Sequence, residues 1–409
     1  MSCSTTRTLL VICSVLFVAA FIHCNRGHST TVDDRELQVK RTVVMSGLHQ
    51  PWDLAFTPDG AMLFTEKCRG MSVRTHDGTV RRLFGTTGAA LGADDFFCQG
   101  QSGMLGVALD PAFIDNRYAY VYMASNIGKA ATNRVVRLTV DKTYTGTANR
   151  KDIVTDIPFK QSFNWVGGAG AHSGGRIRFS PFDGYLYVTT GDNHNGSLPQ
   201  DLSRLGGKIL RIDRDGSAAN SNNISPEADP RIFTYGHRNV QGITFRPGTG
   251  QPFVCEHGPG HNDEVTPLVA GGNGGWDPAP TTGVSCPSDY CGYTSNKPDG
   301  TLTPMTDLAR FPNALRPSWN NLGVSEGMGP CVFLEGQHWQ TWDGWLAVGF
   351  LRGARIELLQ LDAVGTTTKT TTVAGLPSQR MRSLILGPDS AIYVATDDGE
   401  IWRLENAAK

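Results

Sequence analysis

One phrase recurs along the chain: an alternating apolar strand, a turn with proline and aspartate or glycine, then a second apolar strand. Period-two alternation on both sides of a tight turn predicts a β-hairpin. The turn prolines are Pro58, Pro111, Pro181, Pro247 and Pro388. Their spacings are 53, 70, 66 and 141 residues, and the last gap holds a weaker copy, "TWDGWLAVGF" (341–350). The repeat therefore has six units.

Each unit is longer than a hairpin and needs neighbours to bury its faces, which is typical of a β-propeller. We predict an all-β fold, a six-bladed β-propeller of four-stranded antiparallel blades, as one domain over residues 34–409. The early strand at 35–47 is expected to close the ring against the strand at 399–405. A content of 48 Gly, 22 Pro and only 18% charged residues also favours a loop-rich β protein.

The composition argues against one class of partner. The formal net charge is -1 and the sequence pI is about 6.8, and the sequence has no basic run. Such a chain offers no electrostatic footprint for nucleic acid. We therefore predict no nucleic-acid partner.

The N-terminus has the pattern of an export signal. Arg7 precedes an uncharged apolar run at 9–22, which is short for a membrane span and has the length of a signal h-region. We predict that residues 1–24 are a signal peptide or an N-terminal anchor. The protein is then secreted or periplasmic, with membrane association only through this segment. His23 argues against a lipoprotein, because a small residue is expected just before the lipidated cysteine, here Cys24.

The leader holds three of the nine cysteines, which leaves six in the exported chain. An even number suggests disulfides, although six cysteines permit fifteen pairings. Buried free thiols are the alternative for one or more of them. The candidate pairs are Cys286–Cys291 (favoured by the short loop "CPSDYC"), Cys68–Cys98 and, as the remainder, Cys255–Cys331.

Polar residues cluster where predicted strands begin and end, which is where the loops at one mouth of a propeller channel lie. His172 stands in a glycine-rich approach to a strand, "GAGAHSGGRIRF" (168–179), where small neighbours let a substrate or planar cofactor come close. Asp192 emerges at the end of the same hairpin. An aspartate that holds a histidine tautomer supports its basicity. The alternatives are that His172 is a structural histidine and that Asp192 caps a turn.

Other strand-end loops carry donors. The loop "YGHRNVQG" (235–242) has four polar groups just before a strand, and "GQSGMLG" (100–106) places Gln101 at the same point of an earlier unit. Three arginines in two later loops could bind an anion such as a polycarboxylate, or could be solvated surface charges. These residues are His237, Arg238, Asn239 and Gln241 in the first loop, and Arg352, Arg380 and Arg382 in the later ones.

The stretch "CEHGPGHNDEV" (255–265) looks like a metal site whose residue types disagree about the metal. Two imidazoles suggest a transition metal, whereas the carboxylates, the asparagine and the loop carbonyls suggest calcium. No CxxC spacing supports zinc.

With these motifs in this order, the sequence resembles the soluble glucose/sorbosone dehydrogenase family. Its members are six-bladed propellers, including aldose sugar dehydrogenases, that use pyrroloquinoline quinone (PQQ) and calcium. The resemblance runs from about residue 45 to the C-terminus, although the segment 280–340 does not align. It rests on "GQSGMLG", "HSGGRI", "LGGKILRID", "YGHRNVQG", "EHGP…NDEV…GGNGGW" and "RMR".

The resemblance implies a role for each matching residue. His172 matches the catalytic base, Asp192 the carboxylate that supports it, and Gln101 a contact to the sugar. Arg238 would also act in catalysis, beside the redox carbonyl of the quinone. The implied cofactor contacts are Arg238, Asn239, Arg380 and Arg382, with Arg352 where many members have lysine. The implied calcium ligands are the carbonyls of Gly258 and Pro259 and, at a second, structural ion, Asp263 and Glu264.

The implied reaction is oxidation of an aldose C1 hydroxyl to the lactone. His172 would remove the hydroxyl proton while hydride passes to PQQ, and electrons would leave to an external acceptor, such as a quinone, a cytochrome or a dye. The chain itself shows no CxxCH haem site. Two alternatives remain open: a cofactor-free extracellular ligand-binding propeller, and a calcium-dependent lactonase.

Overall fold

The structure is a computed structural model that describes residues 31–32, 36–128, 130–161, 168–278 and 301–407. The expected leader (1–24) and the pair Cys286–Cys291 lie outside these ranges. No helix within them is long and apolar enough to cross a membrane.

Regular structure in the described part is almost all β. The first strands are β1 (Thr31–Val32), β2 (Leu37–Met45), β3 (Pro51–Phe56), β4 (Met62–Glu66), β5 (Gly70–Arg74), β6 (Val80–Gly85), β7 (Leu91–Gly92), β8 (Met104–Leu109), β9 (Tyr118–Ser125), β10 (Thr132–Val140), β11 (Thr147–Ile157), β12 (Ile177–Phe179), β13 (Leu186–Thr189) and β14 (Lys208–Ile212). The later strands are β15 (Ile232–Tyr235), β16 (Val240–Phe245), β17 (Pro252–Glu256), β18 (Glu264–Pro267), β19 (Gly272–Asn273), β20 (Trp319–Asn320), β21 (Met328–Phe333), β22 (Leu346–Phe350), β23 (Ile356–Leu361), β24 (Thr367–Ala374), β25 (Met381–Leu386), β26 (Ile392–Thr396) and β27 (Ile401–Asn406). A short helix, α1 (Phe113–Asn116), and a 3₁₀ segment, Gln337–Trp342, complete the set.

The five hairpins predicted from the proline turns are confirmed. They are β3–β4, β8–β9, β12–β13, β16–β17 and β25–β26, all antiparallel. The weaker copy at 341–350 is not a hairpin of its own, because its first two residues end the 3₁₀ segment and β22 is the one strand it contains. The antiparallel partner of β22 on its N-terminal side is β21, which precedes the 3₁₀ segment.

The sheets pack around a ring of strands. The strands β3, β8, β12, β16, β21 and β25 contact one another in this order, and β25 contacts β3 again. Apolar side chains fill the space between neighbouring sheets, for example Leu63 on β4 and Val121 on β9. The arrangement is an all-β propeller.

The prediction of six separate, four-stranded antiparallel blades is wrong. The described strands form five sheets: two with four strands, two with five and one with nine. In the nine-stranded sheet, β2 pairs antiparallel with β27, as expected for closure of the ring. The beginning of β2 also pairs in parallel with β24, Leu37 facing Val373, and this second pairing joins the last two repeat units into one sheet. Parallel edge strands, β7 and β19, extend the two five-stranded sheets.

A buried ion cluster joins the ring strands. The Asp53 carboxylate, on β3, accepts two hydrogen bonds from Arg178 on β12, both of 2.7 Å, and lies 2.5 Å from Nη1 of Arg176. It also accepts the Val107 N–H from β8 at 3.0 Å and the Ser383 hydroxyl from β25 at 2.9 Å. Burial alone would raise the pKa of Asp53, but the two arginines lower it below its ordinary value.

The cysteines follow two different patterns. Cys68 and Cys98 form a disulfide, as one of the candidate pairs predicted. Cys255 and Cys331 are both buried and are not bonded to each other, so the pairing by remainder is wrong and the free-thiol alternative holds for them. Both lie on ring hairpins inside one apolar cluster, where small buried thiols pack as hydrophobic side chains.

Substitution of Asp53 by Asn is expected to destabilise the fold by roughly 3–5 kcal/mol near neutral pH, because two guanidiniums lose their buried counter-charge. The stabilisation by the ionised Asp53 carboxylate is present above its unfolded-state pKa of about 3.9 and is lost as the pH falls through its lower folded-state pKa. The difference in unfolding free energy between wild type and Asp53→Asn therefore narrows in acid. Thermal unfolding at several pH values measures this difference. Glu405→Gln, at a half-exposed ion pair with Arg403, serves as the control and should cost less than about 1 kcal/mol.

Candidate functional site

A cavity of about 370 Å³ lies where ring strands and hairpin ends meet. In three hairpins the residue before the first strand and the residue after the second lie side by side, because the strands are antiparallel. These pairs are Gln50 with Lys67, Asn239 with His257, and Arg380 with Asp397, each joined by one backbone hydrogen bond. All six residues line the cavity. The hairpin repeat thus delivers polar side chains to one place.

Six residues singled out from the sequence line this cavity, and others do not. Those that line it are Gln101, His172, Asn239, Gln241, Arg380 and Arg382. Asp192 and Arg238 are buried and contact lining residues from outside the cavity wall. Arg352 is exposed and is not among the lining residues, so the structure does not add it to the other two arginines.

His172 and Asp192 form a buried pair. His172 precedes β12 and Asp192 follows β13, so antiparallel pairing brings both to the same edge of the sheet. The Nδ1 atom of His172 lies 2.8 Å from Oδ1 of Asp192. The other carboxylate oxygen accepts the indole N–H of Trp276 at 2.9 Å. The predicted partnership of the two residues is therefore present as a contact.

The surroundings keep His172 neutral. Burial lowers its pKa well below the usual value, and the positive charges of Arg238 and Lys160 lower it further. Burial has the opposite effect on the acid and raises the pKa of Asp192, although Arg238 and the Trp276 N–H oppose that shift. A neutral imidazole that donates Nδ1–H to a carboxylate has its remaining lone pair on Nε2, and this is the form that can accept a proton.

A second histidine escaped the sequence reasoning. His194, two residues after Asp192, places its Nε2 atom 2.8 Å from Nε2 of His172, with the ring centroids 3.7 Å apart. Burial lowers its pKa to about 2, so it too is neutral. Nothing in the sequence "GDNHN" predicts this contact, because the contact depends on left-handed backbone at Asn193 and His194, with φ of 51° and 56°.

Glu256 organises the loop that carries Arg238 and Asn239. Its Oε1 atom accepts the backbone N–H groups of both residues, and its Oε2 atom lies 3.1 Å from Nδ1 of His237. The Arg238 guanidinium donates to the carbonyl of His257 at 2.5 Å. The Asn239 amide oxygen accepts the Gly174 N–H at 3.2 Å, which ties this loop to the approach of His172.

One wall of the cavity is cationic. Arg380 and Arg382 both bind the Asp397 carboxylate, at 2.6 and 2.7 Å. Lys67 stands beside them, and burial, followed by the charge of Arg382, lowers its pKa. Three cations with one carboxylate leave an excess of positive charge facing the cavity, which suits an anionic ligand. The sequence analysis did not select Lys67 and Asp397, although each directly follows the second strand of a predicted hairpin, where cavity residues are found.

The bend at 255–265 is held by its own side chains. The Asp263 carboxylate accepts the Gly258 N–H at 2.8 Å and the Ser325 hydroxyl at 2.6 Å. Glu264 is buried and accepts the Thr306 hydroxyl at 2.8 Å, and burial raises its pKa to about 8. The described residues contain no group of three or more His, Cys, Asp or Glu side chains arranged for a metal. The ligands expected at Gly258 and Pro259 are backbone carbonyls, and those expected at Asp263 and Glu264 are two carboxylates of a second ion, so both calcium sites stay predictions.

Comparison with known proteins finds a family model, curated relatives and a solved structure that match this chain. The family model described as Glucose / Sorbosone dehydrogenase matches residues 48–403. The chain is 28% identical over 375 residues to the aldose sugar dehydrogenase YliI of Escherichia coli strain K12, covering 88% of this chain and 91% of that protein. It is 28% identical over 263 residues to the quinoprotein glucose dehydrogenase B of Acinetobacter calcoaceticus, covering 58% and 52%. A solved glucose dehydrogenase structure shares 26% identity with a TM-score of 0.75, covering 90% and 100%.

The ring resonances of His172 are expected to stay unchanged between about pH 5.5 and pH 8, because the imidazole remains neutral. Replacing Arg238 by Met removes a nearby positive charge and should move its titration to higher pH. Arg246→Met is the matched control, since that guanidinium donates to the carbonyl of Asp362 instead. NMR of histidine-labelled protein measures all three. A full titration of His172 across this range in the wild type would contradict the assignment of a neutral base.

Proposed function

The chain belongs to the glucose/sorbosone dehydrogenase family, and from this premise we propose that it is a PQQ- and calcium-dependent sugar dehydrogenase. Its substrate is an aldose whose C1 hydroxyl is oxidised to the lactone. The observation that carries the proposal is the contact of His172 Nδ1 with the Asp192 carboxylate, at the wall of a cavity that also presents an excess of positive charge.

The residues present fit a quinone that carries carboxylates. Arg380, Arg382 and Lys67 would hold the carboxylates, with Asn239 next to the ring system. The Nδ1 atom of His257, at the cavity wall, is buried without a hydrogen-bond partner among the described residues. A bound polar group would satisfy it, since buried polar atoms are almost always hydrogen-bonded. When bound, PQQ supplies the two-electron oxidant that no side chain of the protein provides.

Calcium is proposed on the carbonyls of Gly258 and Pro259, beside the lining residue His257. A second ion is proposed at Asp263 and Glu264. Support for the second ion comes from electrostatics: Glu264 is a buried carboxyl whose pKa is raised by burial and then by Glu256 and Asp263. A divalent cation would relieve this repulsion, and calcium accepts carboxylate and carbonyl oxygens in flexible geometry.

The protein's own groups would act as follows. Asp192 accepts Nδ1–H of His172 and so fixes the tautomer whose Nε2 takes the proton of the sugar hydroxyl. Gln101 lies on the cavity wall, where its amide could orient the sugar. Arg238 is buried within reach of the His257 carbonyl and would stabilise negative charge that develops near this edge of the cavity.

Electrons would leave to an external acceptor, a quinone, a cytochrome or a dye, in the secreted or periplasmic location expected from the N-terminus. The cofactor-free binding propeller is less well supported, because it assigns no role to the pair of His172 and Asp192 or to the cationic wall. The lactonase alternative likewise leaves the arginines unexplained.

Titration of the metal-stripped mature protein with PQQ, with and without calcium, tests the proposal. We expect calcium-dependent, near-stoichiometric binding, followed by dye reduction with an aldose. His172→Ala should still bind PQQ, but turnover should fall by roughly 10²–10⁴-fold, as for loss of a general base. Absence of PQQ binding in the wild type would end the dehydrogenase proposal, and near-normal turnover of His172→Ala would show that another group is the base.

The cationic wall makes a separate prediction. Arg380→Gln should weaken PQQ binding by about tenfold or more, because a hydrogen-bonded charge pair with a cofactor carboxylate is lost. Arg352→Gln is the matched control and should change binding little, since Arg352 does not line the cavity. Equal losses in both variants, measured by fluorescence titration, would show that the cofactor lies elsewhere.

A further inference from the structure

A short turn, residues 99–102, carries Gln101 and contacts two different parts of the cavity wall. Gln101 lines the cavity, and its backbone N–H donates to the carbonyl of Ala169 at 3.1 Å, in the segment that leads to His172. From the cationic wall, the Lys67 ammonium donates to the carbonyl of Gly100 at 2.8 Å. The turn is therefore hydrogen-bonded both to the approach of the base and to the cationic wall.

Two glycines let this segment pack closely against both neighbours. A Cβ atom added at Gly100 would collide with the carbonyl oxygen of Ala169, and one added at Gly103 would collide with that of Lys67. Both glycines have positive φ, 57° and 147°, which glycine adopts without a steric penalty. A small displacement of the turn would change its distance to both neighbours, and with it the position of Gln101.

Non-covalent bonds close the turn on itself but hold it in place only lightly. The backbone N–H and the hydroxyl of Ser102 both donate to the carbonyl of Gln99, at 3.0 and 2.7 Å, and these bonds fix the shape of the turn rather than its position. Residues 99–101 are exposed, so the bonds from the turn to its two neighbours compete with water. Such competition keeps the net contribution of a hydrogen bond small.

One covalent bond fixes the position of the turn. Cys98, directly before the turn, forms a disulfide with Cys68, and their Cα atoms are 5.4 Å apart. Cys68 follows Lys67 in the tight connection between β4 and β5, whose strands are paired along their whole length. The disulfide therefore ties an irregular segment to the end of a hairpin, three residues before Gln101.

We propose that the Cys68–Cys98 disulfide is a positioning element of the sugar site, which holds Gln101 at its place on the cavity wall. The inference rests on the proposed function, which gives Gln101 the contact to the sugar. A disulfide ordinarily stabilises a protein by restricting the unfolded chain. This one also restricts the folded protein, because it limits the motion of a turn that would orient the substrate, and a misplaced contact weakens that orientation.

Hydrogen exchange in the full mature chain without cofactor tests this restriction. The variant carries Cys68→Ser and Cys98→Ser and is compared with the wild type. We expect exchange in peptides that span 98–103 to rise by about tenfold or more, because the turn opens locally. Exchange in the β12–β13 hairpin, which His172 and Asp192 flank, should stay unchanged. Equal acceleration in both regions, or none at the turn, would overturn the proposal.

Kinetics of the PQQ-loaded enzyme separate positioning from stability. Loss of the disulfide should raise the KM for the aldose about three- to tenfold, the effect of losing one hydrogen bond. We expect kcat and PQQ affinity to stay near their wild-type values, because the β12–β13 and β25–β26 hairpins position the base and the arginines. A lower melting temperature with an unchanged KM would show a purely structural disulfide and overturn the proposal.

A Gln101→Ala background shows whether the effect passes through Gln101. There, loss of the disulfide should raise the KM no further, because two changes that remove the same contact do not add. A further rise of the same size would overturn the proposal.

Reduction provides a second route to the same state without a substitution. Cys68 is exposed, so a water-soluble phosphine can reduce the bond to two thiols in the folded wild type. The reduced wild type should reproduce the KM of the double variant, and the double variant itself should not respond. If the wild type does not bind PQQ, the proposed function falls, while hydrogen exchange still decides whether the disulfide fixes the turn.

Discussion

The ring depends on a buried carboxylate between two arginines. Asp53 receives both Arg176 and Arg178, and Arg176 also donates to the carbonyls of Gln241 on β16, at 3.1 Å, and Arg382 on β25, at 2.7 Å. Burying three charges is costly, and hydrophobic residues of equal volume could be as stable. Hydrophobic residues, however, form no directional hydrogen bonds and so could not fix the positions of the strands in this way. The cluster therefore sets the spacing of the strands whose ends form the cavity.

The register of the paired strands determines which residues lie side by side at the cavity. An antiparallel hairpin places the residue before its first strand beside the residue after its second, whatever lies in the turn. The cavity uses this rule at several units, so that base, amide and cations come from different sheets yet meet at one point. No single loop has to be long or special.

Much of this could be predicted from the sequence, because both the hairpins and the hairpin-end residues are local patterns. Pairing His172 with Asp192 followed from one hairpin. The joining of the last two units did not, because it depends on a parallel contact of Leu37 with Val373 that no local pattern encodes. His194 was missed since its contact requires left-handed backbone at non-glycine residues. The free thiols of Cys255 and Cys331 show that an even number of cysteines does not establish which of them are paired, because pairing depends on their positions in the fold.

The double pairing of β2 has a consequence for how the chain is made. This strand precedes β3–β23 in the chain, yet its two partners, β24 and β27, both follow them. During vectorial synthesis the edges of β2 stay unpaired until β24 and β27 have emerged. Open strand edges attract other chains. A chain interrupted before β24 would therefore leave both edges of β2 without their partners.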